Sequence, residues 1–161
     1  MKKSIISALA IAIASLAPAA CSQQEEAPAA DTAPEAPAGI SVTNGRLILP
    51  AVSGNPAAVY FDISNSGTEP QMIRSASVQG AGPAMLHKSS TWNGQTSMED
   101  VPQLPVAPGE TISFAPGGLH VMAGDLAETI VAGGMTEVTL TFIRGDKVSF
   151  PVEVRAAGDD R

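Results

Sequence analysis

The sequence predicts an all-β domain over residues 39–161, folded as a two-sheet antiparallel β-sandwich. Short runs in which apolar and polar residues alternate recur along this segment. Gly, Pro, Asn and Asp separate the runs, and these residues favour turns. Helical periodicity is nearly absent, and the segment has the length of one domain. Together these features favour a sandwich of short strands.

The clearest strand signal lies at residues 57–64, where Val59, Phe61 and Ile63 alternate with polar residues. A second signal is a hairpin, in which residues 144–147 form a turn between two alternating runs. We expect a single helical turn at residues 125–131. Further strands bounded by turn residues are predicted at 46–49, 71–78, 84–87, 98–104 and 111–115.

Residues 1–20 are predicted to be an export signal. Lys2 and Lys3 precede an apolar run from Ile5 to Leu16, and small residues follow it. The run is too short to serve comfortably as a membrane-spanning helix, which needs about 20 apolar residues.

Cys21 is the single cysteine of the chain and follows the small residues directly, which predicts a lipid anchor on this residue. Pro18 stands where an aliphatic residue is usual, so cleavage by the ordinary signal peptidase after Ala19 or Ala20 is the alternative. Residues 21–38 are rich in Ala, Pro and Glu and have no aromatic residue. Such a segment cannot bury enough apolar surface to fold, so we expect a disordered tether.

The charge balance argues against nucleic acid as a partner. The formal net charge is −7, and removal of Lys2 and Lys3 with the signal makes the chain still more acidic. Phosphate binding requires a basic surface. The predicted export signal and Cys21 place the expected location in the periplasm, with attachment to a membrane through the N-terminal lipid.

Four residues form the candidate metal site: His87, Met98, His120 and Met122. Residues 119–122 follow a Pro-Gly-Gly turn and are predicted to be extended. Side chains two apart in a strand point to the same face, about 6.5 Å from one another. An imidazole and a flexible thioether at this spacing can reach one ion.

The softness of these ligands selects the metal. Thioether sulfur favours Cu(I), whereas magnesium and calcium prefer oxygen and zinc sites use imidazole, thiolate and carboxylate. The folded segment has no cysteine, which excludes a blue-copper centre and avoids thiol oxidation outside the cytoplasm. Imidazole also suits Cu(II), so a cupric ion at an accessory site stays open.

The spacing His-x10-Met-x21-His-x-Met, with Val106-Ala-Pro-Gly-Glu110 and Pro116-Gly-Gly-Leu-His120, resembles a known family. This is the periplasmic copper chaperone family that supplies the CuA centre of cytochrome c oxidase (PCuAC-like). The resemblance covers about residues 40–155. It implies a cupredoxin-like, immunoglobulin-like sandwich that binds Cu(I) through the four residues. It also implies delivery of copper to a cytochrome c oxidase subunit or to a thiol copper chaperone.

Other residues near the motif have simpler explanations. Met72 and Met135 are expected to pack in the core. Met85 lies two residues before His87, so an extended chain would place both on one face. Met85 is expected to pack in the core as well, and the alternative is that it is an extra thioether. Trp92 either shields the ion or packs on the rim of the sandwich. Glu99 and Asp100 are expected to be solvated. The alternative is that they orient an imidazole.

Three alternative functions are considered for this sequence. Storage or detoxification of copper would need the same ligands. A metal-free structural lipoprotein would explain the fold and tether, but it leaves the His and Met spacing to chance. An enzyme is disfavoured, because no Gly-x-Ser-x-Gly motif occurs and both histidines belong to the metal motif.

Overall fold

The structure is a computed structural model that describes residues 36–159. The expected signal peptide, Cys21 and all but the last three residues of the expected tether lie outside this range. None of the residues from 36 to 159 forms a helix long and apolar enough to cross a bilayer.

The described part of the chain folds entirely as β-strands and loops, which confirms the predicted all-β class. In the strands Ala57–Asn65 and Lys147–Arg155 every second residue is buried, as the sequence pattern requires. The ten strands are β1 (Ile40–Ile48), β2 (Ala57–Asn65), β3 (Gln71–Val78), β4 (Ala84–Trp92), β5 (Gln95–Asp100), β6 (Leu104–Val106), β7 (Thr111–Phe114), β8 (Leu119–Ala123), β9 (Met135–Phe142) and β10 (Lys147–Arg155).

Hydrogen bonds join the ten strands in the order β5-β4-β8-β7-β2-β1-β10-β9-β3-β6, and β8 also pairs with β2. Most of these pairings are antiparallel, while β1 with β10 and β7 with β8 are parallel. The sheet folds back on itself, so that β3 lies against β4 although they are not neighbours in the ladder. The folded sheet encloses one apolar core.

Aromatic rings from three strands pack at the centre of this core. Phe61 stacks on Phe114 with ring centroids 4.1 Å apart, and Phe150 lies 5.1 Å from Phe61. All three are buried. Aromatic pairs at these separations add to the stability that burial of their surface provides.

The predicted strand at residues 98–104 is divided in the structure. β5 ends at Asp100 and β6 begins at Leu104, with Pro102 between them. Proline has no backbone N–H and restricts the residue before it, so it favours an interruption here. The predicted helical turn at residues 125–131 is also wrong. Asp125 has a φ of 47°, which is outside the right-handed helical region.

β4 runs five residues beyond the predicted strand and forms a hairpin with β5. Asn93 and Gly94 connect the two strands, with φ values of 49° and 76°. Positive φ at both central residues is the geometry that a tight two-residue hairpin needs, and Asn-Gly is the preferred sequence for it. This hairpin brings Met98 beside β4.

Candidate metal centre

The pairing of β4 with β8 brings the two histidines together. In this antiparallel ladder His87 lies directly opposite His120, and Met85 lies directly opposite Met122. Residues directly opposite in an antiparallel pair point to the same face, and so do residues two apart in one strand. These four side chains therefore share one face of the sheet.

The hairpin adds β5 to the same face. Asp100 lies opposite His87, and Met98 lies opposite Ser89, which is two residues beyond His87. We call the set Met85, His87, Met98, His120 and Met122 the His/Met face. Side chains on this face form rows that run across the strands, and successive rows are about 6.8 Å apart along the strands. The histidine row thus has Met98 on one side and the pair Met85 and Met122 on the other.

The two imidazoles are buried and adjacent. His87 is 8% exposed and His120 is 5% exposed. Their ring centroids are 5.8 Å apart and the ring planes meet at 84°. On the opposite face of the same strands, Leu86 and Val121 belong to the apolar core. At these four residues, β4 and β8 are therefore buried on both faces.

Both ring nitrogens of His87 are buried, and neither has a hydrogen-bond partner. Nε2 lies 3.0 Å from Oδ1 of Asp100, but without the alignment of a hydrogen bond. Buried polar atoms normally have partners, and leaving one unpaired costs about 1–3 kcal/mol. A role as a metal ligand would explain why such a nitrogen has no hydrogen-bond partner. The nearby carboxylate favours the ring proton on Nε2, which leaves the lone pair on Nδ1.

In His120 the proton lies on the other ring nitrogen. Its Nδ1 lies 3.2 Å from the carbonyl oxygen of Gly118, which can only accept a hydrogen bond. Nδ1 therefore carries the proton, and Nε2 keeps its lone pair. The Tyr60 ring lies 6.4 Å from the His120 ring. A backbone carbonyl that fixes the tautomer of an imidazole is typical of metal-ligating histidines.

The methionines are more exposed than the histidines. Met98 is 57% exposed and Met85 is 51% exposed, while Met122 is partly buried. Within residues 36–159, no three His, Cys, Asp or Glu side chains come together in a way that could hold a metal ion. The donor set of this face is therefore imidazole and thioether, which suits a soft metal ion.

The structure brings together the four residues proposed from the sequence and changes the interpretation of several others. The prediction that Met85 packs in the core is wrong, and so is the same prediction for Met135, which is 65% exposed. Met72 is half-buried. Asp100 is exposed, as expected, but it also contacts His87, whereas the register places Glu99 on the other face. Trp92 is 80% exposed, and its register position is also on the opposite face from Met98.

The fold and the His/Met face define a small all-β domain with a candidate centre for a soft metal ion. The family model described as "Putative lipoprotein LpqE-like" matches residues 40–154, and the chain belongs to this LpqE-like family. A protein of Leifsonia xyli subsp. xyli named "Putative lipoprotein Lxx21020" is 29% identical over 106 residues. That alignment covers 65% of this chain, and the chain spans 64% of the relative's length.

Solved structures with a similar fold include PCuAC domains, which confirms the resemblance found in the sequence. The copper-bound PCuAC domain from PmoF2 is 23% identical with a TM-score of 0.61, covering 76% of this chain and 97% of that one. The solution structure of Cu(I)-bound DR1885 from Deinococcus radiodurans is 25% identical with a TM-score of 0.55, covering 71% and 78%. The fold of this chain is therefore the cupredoxin-like fold of PCuAC domains.

The ring environments predict different neutral tautomers for the two histidines. His120 is expected to carry its proton on Nδ1, and His87 on Nε2, because of the partners at 3.2 and 3.0 Å. Long-range ¹⁵N–¹H correlation spectra of the metal-free protein measure this directly. The change Asp100→Ala should bring His87 toward a mixture of tautomers and leave His120 unchanged. Identical tautomers in both rings of the unchanged protein would contradict this assignment.

Proposed function

We propose that this protein is a Cu(I) carrier that holds one cuprous ion through His87, Met98, His120 and Met122. The observation that carries the proposal is a pair of adjacent buried imidazoles beside thioethers on the same face, with neither ring nitrogen of His87 in a hydrogen bond. Two of the structural relatives are described as copper-bound and Cu(I)-bound. The ligand chemistry of this chain agrees with that cargo.

The two kinds of ligand have different tasks in this proposal. The buried imidazoles anchor the ion, since their positions are set by the ladder between β4 and β8. The thioether of Met98 is exposed and lies on a long flexible side chain. It can therefore leave the ion and be replaced by a ligand of another protein. All four ligands are neutral, so the bound ion keeps its single positive charge.

The proposed site should bind one Cu(I) ion per chain. His120→Ala should weaken the affinity at least about a hundredfold, since it removes an anchored ligand, and Met98→Leu should weaken it about tenfold. Competition titration of the purified protein against a chromogenic Cu(I) chelator measures both. The matched control is Met135→Leu, which changes an exposed methionine on β9.

Two results would contradict the proposed site. The first is unchanged Cu(I) affinity in His120→Ala, and the second is an equal loss in the Met135→Leu control.

We further propose that the acceptor of the ion is the CuA-bearing subunit of cytochrome c oxidase or a thiol copper chaperone that serves it. The support for this acceptor is the PCuAC-like spacing of the four ligands. A thiolate is a stronger soft ligand than a thioether, so transfer to a thiol site is favourable. Transfer exchanges ligands and changes no oxidation state.

Delivery can be tested with purified components. Cu(I)-loaded protein, mixed with the metal-free soluble CuA domain or a reduced thiol chaperone, should lose its ion to one of them. Size separation followed by metal analysis of each fraction measures the transfer. Protein with His120→Ala serves as the control, because it should enter the reaction with little copper. Retention of copper on the loaded protein with both acceptors would favour storage or detoxification instead.

The proposed location is the periplasm, with a lipid on Cys21 and residues 21–38 as the tether to the membrane. The support is the position of Cys21 after the predicted export signal, together with the lipoprotein name of the matching family. A tether of this length would let the copper domain reach acceptors at the membrane surface while it stays attached.

Anchoring makes a simple prediction about fractionation. The native protein should sediment with membranes, and Cys21→Ser should either release it to the soluble periplasmic fraction or leave it unprocessed. Ser22→Ala is the control and should keep the native distribution. A native protein that is entirely soluble would show that Cys21 carries no lipid.

A further inference from the structure

We propose that Met85 is a further copper-binding residue, a third thioether that takes the place of Met98 when Met98 leaves the ion. This inference rests on the proposed Cu(I) function and adds a ligand beyond the four-residue motif. It concerns the step at which the ion is exposed to a partner.

The position of Met85 in the ladder carries the inference. Met85 lies directly opposite Met122 and two residues before His87. Directly opposite residues have Cβ atoms about 5 Å apart, and residues two apart in a strand are about 6.8 Å apart. Both separations are within reach of a methionine side chain. Met85 therefore has the same relation to His87 that Met122 has to His120.

The exposure of Met85 supports a role other than packing. Half of its side chain is accessible, while the core residues beside it, Leu86 and Val121, are buried. A methionine in the core stabilises the fold by burying its apolar surface. Met85 buries only part of its surface and so provides less of this stabilisation. It lines one side of an apolar surface recess of about 240 Å³ together with Arg74, Asp100 and Pro102. Met85 thus borders open space on this side.

The arrangement of rows explains why Met98 is the ligand that leaves. Met98 belongs to β5, one of the two end strands of the sheet. Within residues 36–159, β5 pairs only with β4, and every residue of β5 is exposed. Met85 lies on β4, between β5 and β8, on the other side of the histidine row. Departure of Met98 would open one side of the ion to a partner. Met85 and Met122 would together hold it from the opposite side.

A double-mutant cycle tests whether Met85 substitutes for Met98. The variants are Met85→Leu, Met98→Leu and the double variant, since leucine conserves volume and removes the sulfur. We expect an affinity loss of about tenfold for Met98→Leu, less than about threefold for Met85→Leu, and at least about three-hundredfold for both. The matched control pairs Met98→Leu with Met135→Leu, which should add nothing. Competition titration with Cu(I) measures each affinity.

A second readout observes Met85 itself. With ¹³C-methyl methionine, addition of Cu(I) to the Met98→Leu protein should shift the Met85 methyl signal and leave that of Met135 in place. Additive losses in the cycle, or a Met85 signal that does not move, would overturn the inference while Cu(I) binding by the unchanged protein still stands. Absence of Cu(I) binding by the unchanged protein would overturn the proposed function and the inference with it.

Discussion

The direct pairing of His87 with His120 across β4 and β8 is the constraint on which the candidate site depends. Side chains alternate along a strand, so a shift of one residue would direct one imidazole into the apolar core. Leu86 and Val121 face that core and hold the register, because a shift would expose both of them. The packing of the sandwich and the position of the metal ligands are therefore fixed by the same ladder.

Burial divides the site into an anchored part and an exchangeable part. The histidines are buried, and each has a neighbour that sets its ring orientation: Asp100 for His87 and Gly118 for His120. The thioethers of Met85 and Met98 are accessible. A neutral, partly accessible donor set suits an ion that must be held against loss to water and still be passed to a stronger soft ligand. A closed site would retain the ion, and an exposed pair of imidazoles would lose the support of the core.

Strand geometry predicted the common face of residues close in sequence, and the motif spacing added the distant residues His87 and Met98. His120 and Met122 lie two apart in a strand, so their common face follows from strand geometry alone, and alternation at Val59, Phe61 and Ile63 predicted the buried face of β2. Met85 shares a face with His87 by the same geometry, but its position opposite Met122 depends on a pairing across 37 positions of chain, which local patterns do not determine. The Asn93-Gly94 dipeptide was a usable signal for the β4–β5 hairpin, and it would have placed Met98 and Asp100 beside His87.

In the proposed site, imidazole and thioether ligands from β4, β5 and β8 meet at one cuprous ion. X-ray absorption spectroscopy of the Cu(I)-loaded protein tests this most directly, because nitrogen and sulfur scatterers lie at different distances from copper. We expect two nitrogen and two sulfur neighbours for one ion per chain. A copper environment of nitrogen and oxygen alone, without sulfur, would contradict it.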